Sequence, residues 1–200
     1  SIPEGITVIP SAAFSHCTAL AELTLPKTLT VISGEAFYGC GNLSGLLVIP
    51  DSVTEIQISA FLNTGYSEVL LPDGLKELGM CAFQGCRQLT SIVIPAGLER
   101  MGGHVFYGCS ALKEVKIEAE LTVIPWYVFY GCTSLKTIFL PASLQQIHGK
   151  AFENCTALTD VYFAGTEDAW NSLYIGEEGN ECLKNAVVHC KAAPISDGWH

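Results

Sequence analysis

The segment Val128-Phe129-Tyr130-Gly131-Cys132-Thr133-Ser134-Leu135-Lys136-Thr137-Ile138-Phe139-Leu140-Pro141 decides how the chain is read, because its pattern recurs along almost the whole length. One period earlier stands Val105-Phe106-Tyr107-Gly108-Cys109, running on to Leu112 and Val115-Lys116-Ile117. Working outward, Phe14, Phe37, Phe61, Phe83, Phe106, Phe129 and Phe152 are separated by 23, 24, 22, 23, 23 and 23 residues. A small or β-branched residue precedes each, at Ala13, Ala36, Ala60, Ala82, Val105, Val128 and Ala151. A cysteine stands three positions after the Phe at Cys17, Cys40, Cys86, Cys109, Cys132 and Cys155; only the third unit differs, with Thr64. Three residues further comes Leu20, Leu43, Leu89, Leu112, Leu135 or Leu158, and Tyr66 substitutes in the shortened third unit.

Each unit then alternates briefly, as in Leu23-Thr24-Leu25, Ile92-Val93-Ile94, Val115-Lys116-Ile117, Ile138-Phe139-Leu140 and Val161-Tyr162-Phe163. A proline closes most of these runs (Pro26, Pro50, Pro72, Pro95, Pro141), with Glu118 there once. Two more apolar residues complete the unit, such as Leu29 and Ile32 or Leu144 and Ile147. Alternation with period two predicts a short β-strand with one face inward, and proline cannot continue a hydrogen-bonded ladder. One such strand cannot bury its own apolar face, but stacked copies bury a continuous column. At about 4.8 Å between strands, seven units predict a parallel sheet about 30 Å long.

The unit resembles the BspA-like class of bacterial leucine-rich repeats, in phase over nearly all of residues 3–163. The stretch from Gly165-Thr166-Glu167-Asp168-Ala169-Trp170 through Ile175-Gly176 and Asn180 to Val187-Val188-His189 is similar to that family's ending. The resemblance implies an α/β-type repeat solenoid, a leucine-rich-repeat arc with one short parallel strand per coil. It also implies a secreted or surface-exposed adhesion and interaction module, with a protein or glycan ligand that is host-derived where the bearer is host-associated. Missing Cys in unit three and Glu118 for Pro are local departures. The expected organisation is a solenoid over 1–165, a cap over 166–190 in which Trp170, Leu173, Tyr174 and Ile175 cover the last coil, and a loose tail over 191–200.

Charge narrows the functional classes. Twenty acidic residues against ten basic give a net charge of −10, with Lys and Arg scattered singly. Nucleic acid and anionic membrane surfaces both require clustered cations, so neither is an expected partner. No run of eighteen apolar residues occurs, so no membrane-inserted helix is expected. The chain opens Ser1-Ile2-Pro3-Glu4-Gly5 without a start methionine or a leader, which fits a piece whose export signal has been removed.

No catalytic constellation emerges. Six of nine cysteines lie in phase with the Phe and Leu columns and read as small buried hydrophobes. Inter-coil disulfides stay open, as does a Cys182–Cys190 bridge closing the cap; both cysteines lie off the repeat. No paired CxxC spacing points to zinc; Cys81 and Cys86 have no partner pair. His16, His104, His148, His189 and His200 share no column and read as surface or turn residues. Gly39, Gly85, Gly108 and Gly131 mark turns, and no phosphate-loop or nucleophile-elbow motif is present. Glu177-Glu178-Gly179-Asn180-Glu181 lacks the alternating calcium-ligand pattern and reads as a solvated loop. No enzyme, metal or cofactor is expected.

What remains is the outward face of the strands, expected to be concave. Its middle column is Thr24, Val48, Leu70, Val93, Lys116, Phe139 and Tyr162, with Leu47 as the alternative to Val48. Beside it runs Glu22, Leu46, Glu68, Ser91, Glu114, Thr137 and Asp160. An exposed apolar row marks an interaction surface, and the acidic flank favours a basic or hydroxyl-rich partner; β-propensity alone is the competing account. The alternative function is a rigid structural spacer within a larger surface protein.

Overall fold

The computed structural model describes residues 1–191 and shows a stack of parallel coils. Strands Ser91–Ile94, Glu114–Ile117, Thr137–Leu140, Asp160–Phe163 and Val187–Cys190 form one five-stranded sheet. Ser44–Val48 and Gly65–Leu70 pair separately before it, and together these strands make the front of the molecule. Their burial alternates as the sequence predicts: Ile92, Val115, Ile138 and Val161 point inward.

A second strand per coil was not visible in the sequence. Val8–Ile9, Val31–Ile32, Glu55–Ile56, Glu77–Leu78 and Arg100–Met101 form a side ladder, and Val123–Ile124, Gln146–Ile147 and Tyr174–Ile175 continue it after a break. Pro125 explains part of the break. In other coils the amide after the side strand donates back one coil, as Gly102 does to Leu78 (2.8 Å) and His148 to Ile124 (2.9 Å). Proline has no N–H to give. Glu118 contributes as well: its turn closes with the Leu121 amide on Ala119 instead of three residues back, as Leu98 does on Pro95.

The Phe column fills the interior. Phe37, Phe61, Phe83, Phe106, Phe129 and Phe152 are fully buried, and successive rings from Phe14 to Phe129 stack within 11° of parallel, with centroids 5.2–6.1 Å apart. That spacing lies in the favourable range for aromatic pairs. Ala36, Ala60, Ala82, Val105, Val128 and Ala151 are also fully buried beside them. Two residues per coil take positive φ, for example Tyr127 (62°) and Gly131 (72°), and this bends the chain sharply on either side of Phe129.

The cysteine column is more than apolar filling. Each buried thiol donates to the Phe carbonyl of the preceding coil: Cys109 to Phe83 (3.2 Å), Cys132 to Phe106 (3.2 Å), Cys155 to Phe129 (3.0 Å). In unit three the Thr64 hydroxyl turns to Phe61 of its own coil at 2.9 Å. Tyr66 is buried as expected, edge-on to Phe61 at 6.3 Å.

Several expectations are corrected. The disulfide alternatives that the sequence left open are decided: all nine cysteines are free, without inter-coil bridges or a Cys182–Cys190 bridge. Cys17, in the first coil, is exposed. Cys182 is not off the repeat; its thiol neighbours Cys155 and extends the column. The segment after Gly165 is not a plain lid. Tyr174–Ile175 and Val187–Cys190 pair with the coil before them, making an eighth turn. Trp170 does cover Phe163 (5.4 Å), but Tyr174 is 59% exposed. Two short helices, Glu167–Asn171 and Glu181–Asn185, carry this turn, and Thr166 caps the first by accepting from the Ala169 amide. The acidic loop is not fully solvated: Asn180 is 0% exposed and donates to His148 (3.0 Å) and Gly176 (2.9 Å). The expected tail falls, beyond Lys191, outside the described residues.

Candidate functional site

The outward face of the front sheet is built by register. Val93, Lys116, Phe139 and Tyr162 are cross-strand partners in one row, and Ser91, Glu114, Thr137 and Asp160 make the row beside it. Val48 pairs with Leu70, and Leu46 with Glu68, in the two-stranded part. The choice between Leu47 and Val48 is resolved by burial: Leu47 is in the core and Val48 is 54% exposed. Leu70 is 52% exposed, whereas Val93, Lys116, Phe139 and Tyr162 are half-buried by their neighbours.

Glu22 and Thr24 do not join these rows on a strand. Residues 20–25 are irregular, with Glu22 and Thr24 both exposed. Their next coil carries a register shift at Gly45/Leu46, where Gly45 has φ +75°, and the Thr24 carbonyl instead accepts from the Ile2 amide at 3.0 Å. The first coil therefore lacks a regular partner strand to pair with.

His189 was missed. It pairs in register with Tyr162 and lengthens the middle row. Phe139 stacks on Tyr162 at 4.7 Å, and Tyr162 on His189 at 4.5 Å, with interplanar angles of 13° and 14°. Its Nε2 lies 2.8 Å from Asp160 Oδ1. Bonds from His189 and from the Thr159 hydroxyl hold the Asp160 carboxyl below its ordinary range. Burial pushes the Glu114 carboxyl up. Lys116 Nζ is tied to Glu118 Oε1 at 2.7 Å, so the cation in the row is neutralised. The face thus ends in three stacked rings flanked by Thr137, the Asp160 carboxylate and Val187, with Glu114 one strand before, suited to contact with apolar groups and hydrogen-bond donors.

Among the described residues, no three His, Cys, Asp or Glu side chains gather as a metal site, and no helix is long and apolar enough to cross a membrane.

The sequence matches a family described as the BspA type leucine rich repeat region, in six copies over residues 1–65 and 54–172. No curated protein matches. Among solved structures, the T. pallidum leucine rich repeat protein is similar at 24% identity with a TM-score of 0.69, over 76% of this chain and 72% of that one. A leucine-rich repeat protein from Eubacterium ventriosum is similar at 21% identity and TM-score 0.56, over 69% of this chain and 34% of that one. A leucine rich cell surface protein from Faecalibacterium prausnitzii shares 26% identity at TM-score 0.43, over 86% of this chain and 61% of that one. The first two show the same fold.

Proposed function

Because the chain belongs to the BspA-type leucine-rich-repeat family, we propose that it is a non-catalytic recognition module of the bacterial cell exterior. It holds a protein partner with exposed basic side chains on the front sheet. Placement at the exterior rests on what the family resemblance implies. The observation that carries the recognition reading is the stacked row Phe139–Tyr162–His189, in register and half-exposed, with Asp160 beside it and Glu114 one strand before. Aromatic rings on a rigid scaffold lose little freedom on binding, and a carboxylate flank steers a basic partner.

The test is capture from a panel of immobilised extracellular-matrix proteins and mucin-type glycans, with Phe139→Ala and Tyr162→Ala as variants. Expected is binding to a basic protein that weakens with salt, falls about tenfold or more in each variant, and leaves thermal unfolding nearly unchanged. Normal binding by both variants overturns the front-face assignment, and a glycan as the ligand replaces the partner class. Binding to nothing favours the rigid spacer.

A further inference from the structure

A second gathering of aromatic surface lies away from the front sheet, where Pro125 interrupts the side ladder. Trp126 and Tyr127 follow that proline, and four rings from three coils close around them. His104 stacks on Tyr127 at 4.7 Å and Tyr107 on Tyr130 at 4.6 Å, the latter pair within 3° of parallel. Tyr130 lies 5.9 Å from Tyr127, and His148 lies 5.3 Å from Trp126. None belongs to the Phe column. Trp126 is 49% exposed, with its indole resting on Gly149, where a Cβ would come 2.5 Å from Cζ3. Glycine there makes the seat for the ring.

The chemistry of the cluster narrows its ligand. All six rings are flat with polar rims. The nearest cation, Lys150, sits 6.0 Å from the Tyr127 centroid and is neutralised by Glu178 at 2.7 Å. An anion would find no free positive charge here. Nδ1 of His104 and of His148 are both buried, and His148 Nε2 lies 3.2 Å from Gln146 Oε1, so the imidazoles serve the cluster as packing surface; burial lowers the His104 pKa. Ile58 and Met80 are exposed in the Trp126 column, but Gly103 separates them from the indole. An apolar protein segment would want that aliphatic bed to be continuous. A pyranose ring offers what the cluster lacks: a C–H face for the half-exposed indole and hydroxyls for the tyrosine rims.

We propose that the aromatic cluster around Trp126 is a second recognition site, separate from the front sheet, for an uncharged saccharide chain. The test is titration of the 15N-labelled chain with neutral hexasaccharides of glucose, mannose and galactose, following the Trp126 indole N–H resonance, identified by its loss in Trp126→Phe, together with the backbone amides of Tyr127 and Gly149, which report binding in Trp126→Ala as well. Expected is a saturating shift for at least one sugar, weakened about tenfold or more in Trp126→Ala and unchanged in Phe139→Ala. Unaltered thermal unfolding of Trp126→Ala confirms that the loss is local. No shift with any hexasaccharide, or equal binding by Trp126→Ala, overturns the proposal. A basic extracellular-matrix protein that shields Trp126 while every sugar leaves it unmoved also overturns it, in favour of protein docking. Binding lost in Phe139→Ala but kept in Trp126→Ala returns the sugar to the front sheet.

Discussion

Asn180 Oδ1 accepts the Phe152 amide at 3.1 Å, in the place where a backbone carbonyl of the following coil accepts in every earlier unit, as Ala151 does for Phe129 at 2.9 Å. A side chain thus ends a ladder that the backbone builds. Its Nδ2 uses both protons, on the His148 and Gly176 carbonyls; the Phe152 and Gly176 bonds are buried and the His148 bond partly so.

Asn180→Ala should therefore cost about 1–3 kcal/mol, because it leaves buried backbone groups unpaired. Urea unfolding measures the loss. Amide exchange should quicken first at Phe152 and the residues around it. An unchanged midpoint would show that water takes over the role.

Phe106→Ala, at the middle of the stack, should cost about 3–5 kcal/mol through the cavity it opens. Phe14→Ala should cost distinctly less, since Phe14 is only partly buried. Equal losses at the two sites, read by chemical denaturation, would contradict the stacking account.

Burial raises the Cys86 thiol from its ordinary 9.0 to about 11 and that of Cys132 to about 12. The folded state holds these protons where the unfolded state has released them, so stability is full below pH 9 and falls as pH rises through the window up to about 12. Urea midpoints should drop between pH 9 and pH 11, and less steeply in Cys86→Ala. At pH 8, a thiol reagent added to the native protein should modify the exposed Cys17 first and reach the buried thiols only after denaturation.

Gly65→Ala should destabilise by about 1–3 kcal/mol through overpacking. The added Cβ would lie 2.6 Å from the Gly41 carbonyl oxygen and 2.8 Å from that of Leu43, both backbone atoms that cannot swing aside. Gly5→Ala, with nothing within 4 Å but φ +93°, separates contact from conformational strain in the same assay.

The Phe, Cys and Leu columns were legible because each recurs at a near-constant interval and each is buried for the same reason in every coil. The front strands were legible where side chains alternate over four residues, as from Thr137 to Leu140. The side ladder was not, since two residues such as Val31 and Ile32 show no period. The eighth turn escaped for a different reason. Asp160 pairs with Val187 and Tyr162 with His189, intervals of 27 residues instead of 23, because the short helix Glu167–Asn171 is inserted. His189 consequently read as a stray histidine. The Trp126 cluster also stayed hidden: its rings stand at several different repeat positions, and only stacking brings them together.

Since each Phe amide is anchored to a neighbouring coil and no disulfide ties one coil to another, a load applied to the chain ends has no covalent stop. Coils would peel away singly from an end, each giving about 75–80 Å of slack, the extended span of one repeat. A tether of this kind lengthens under pull and rewinds when released, while the rungs still stacked keep their surfaces intact.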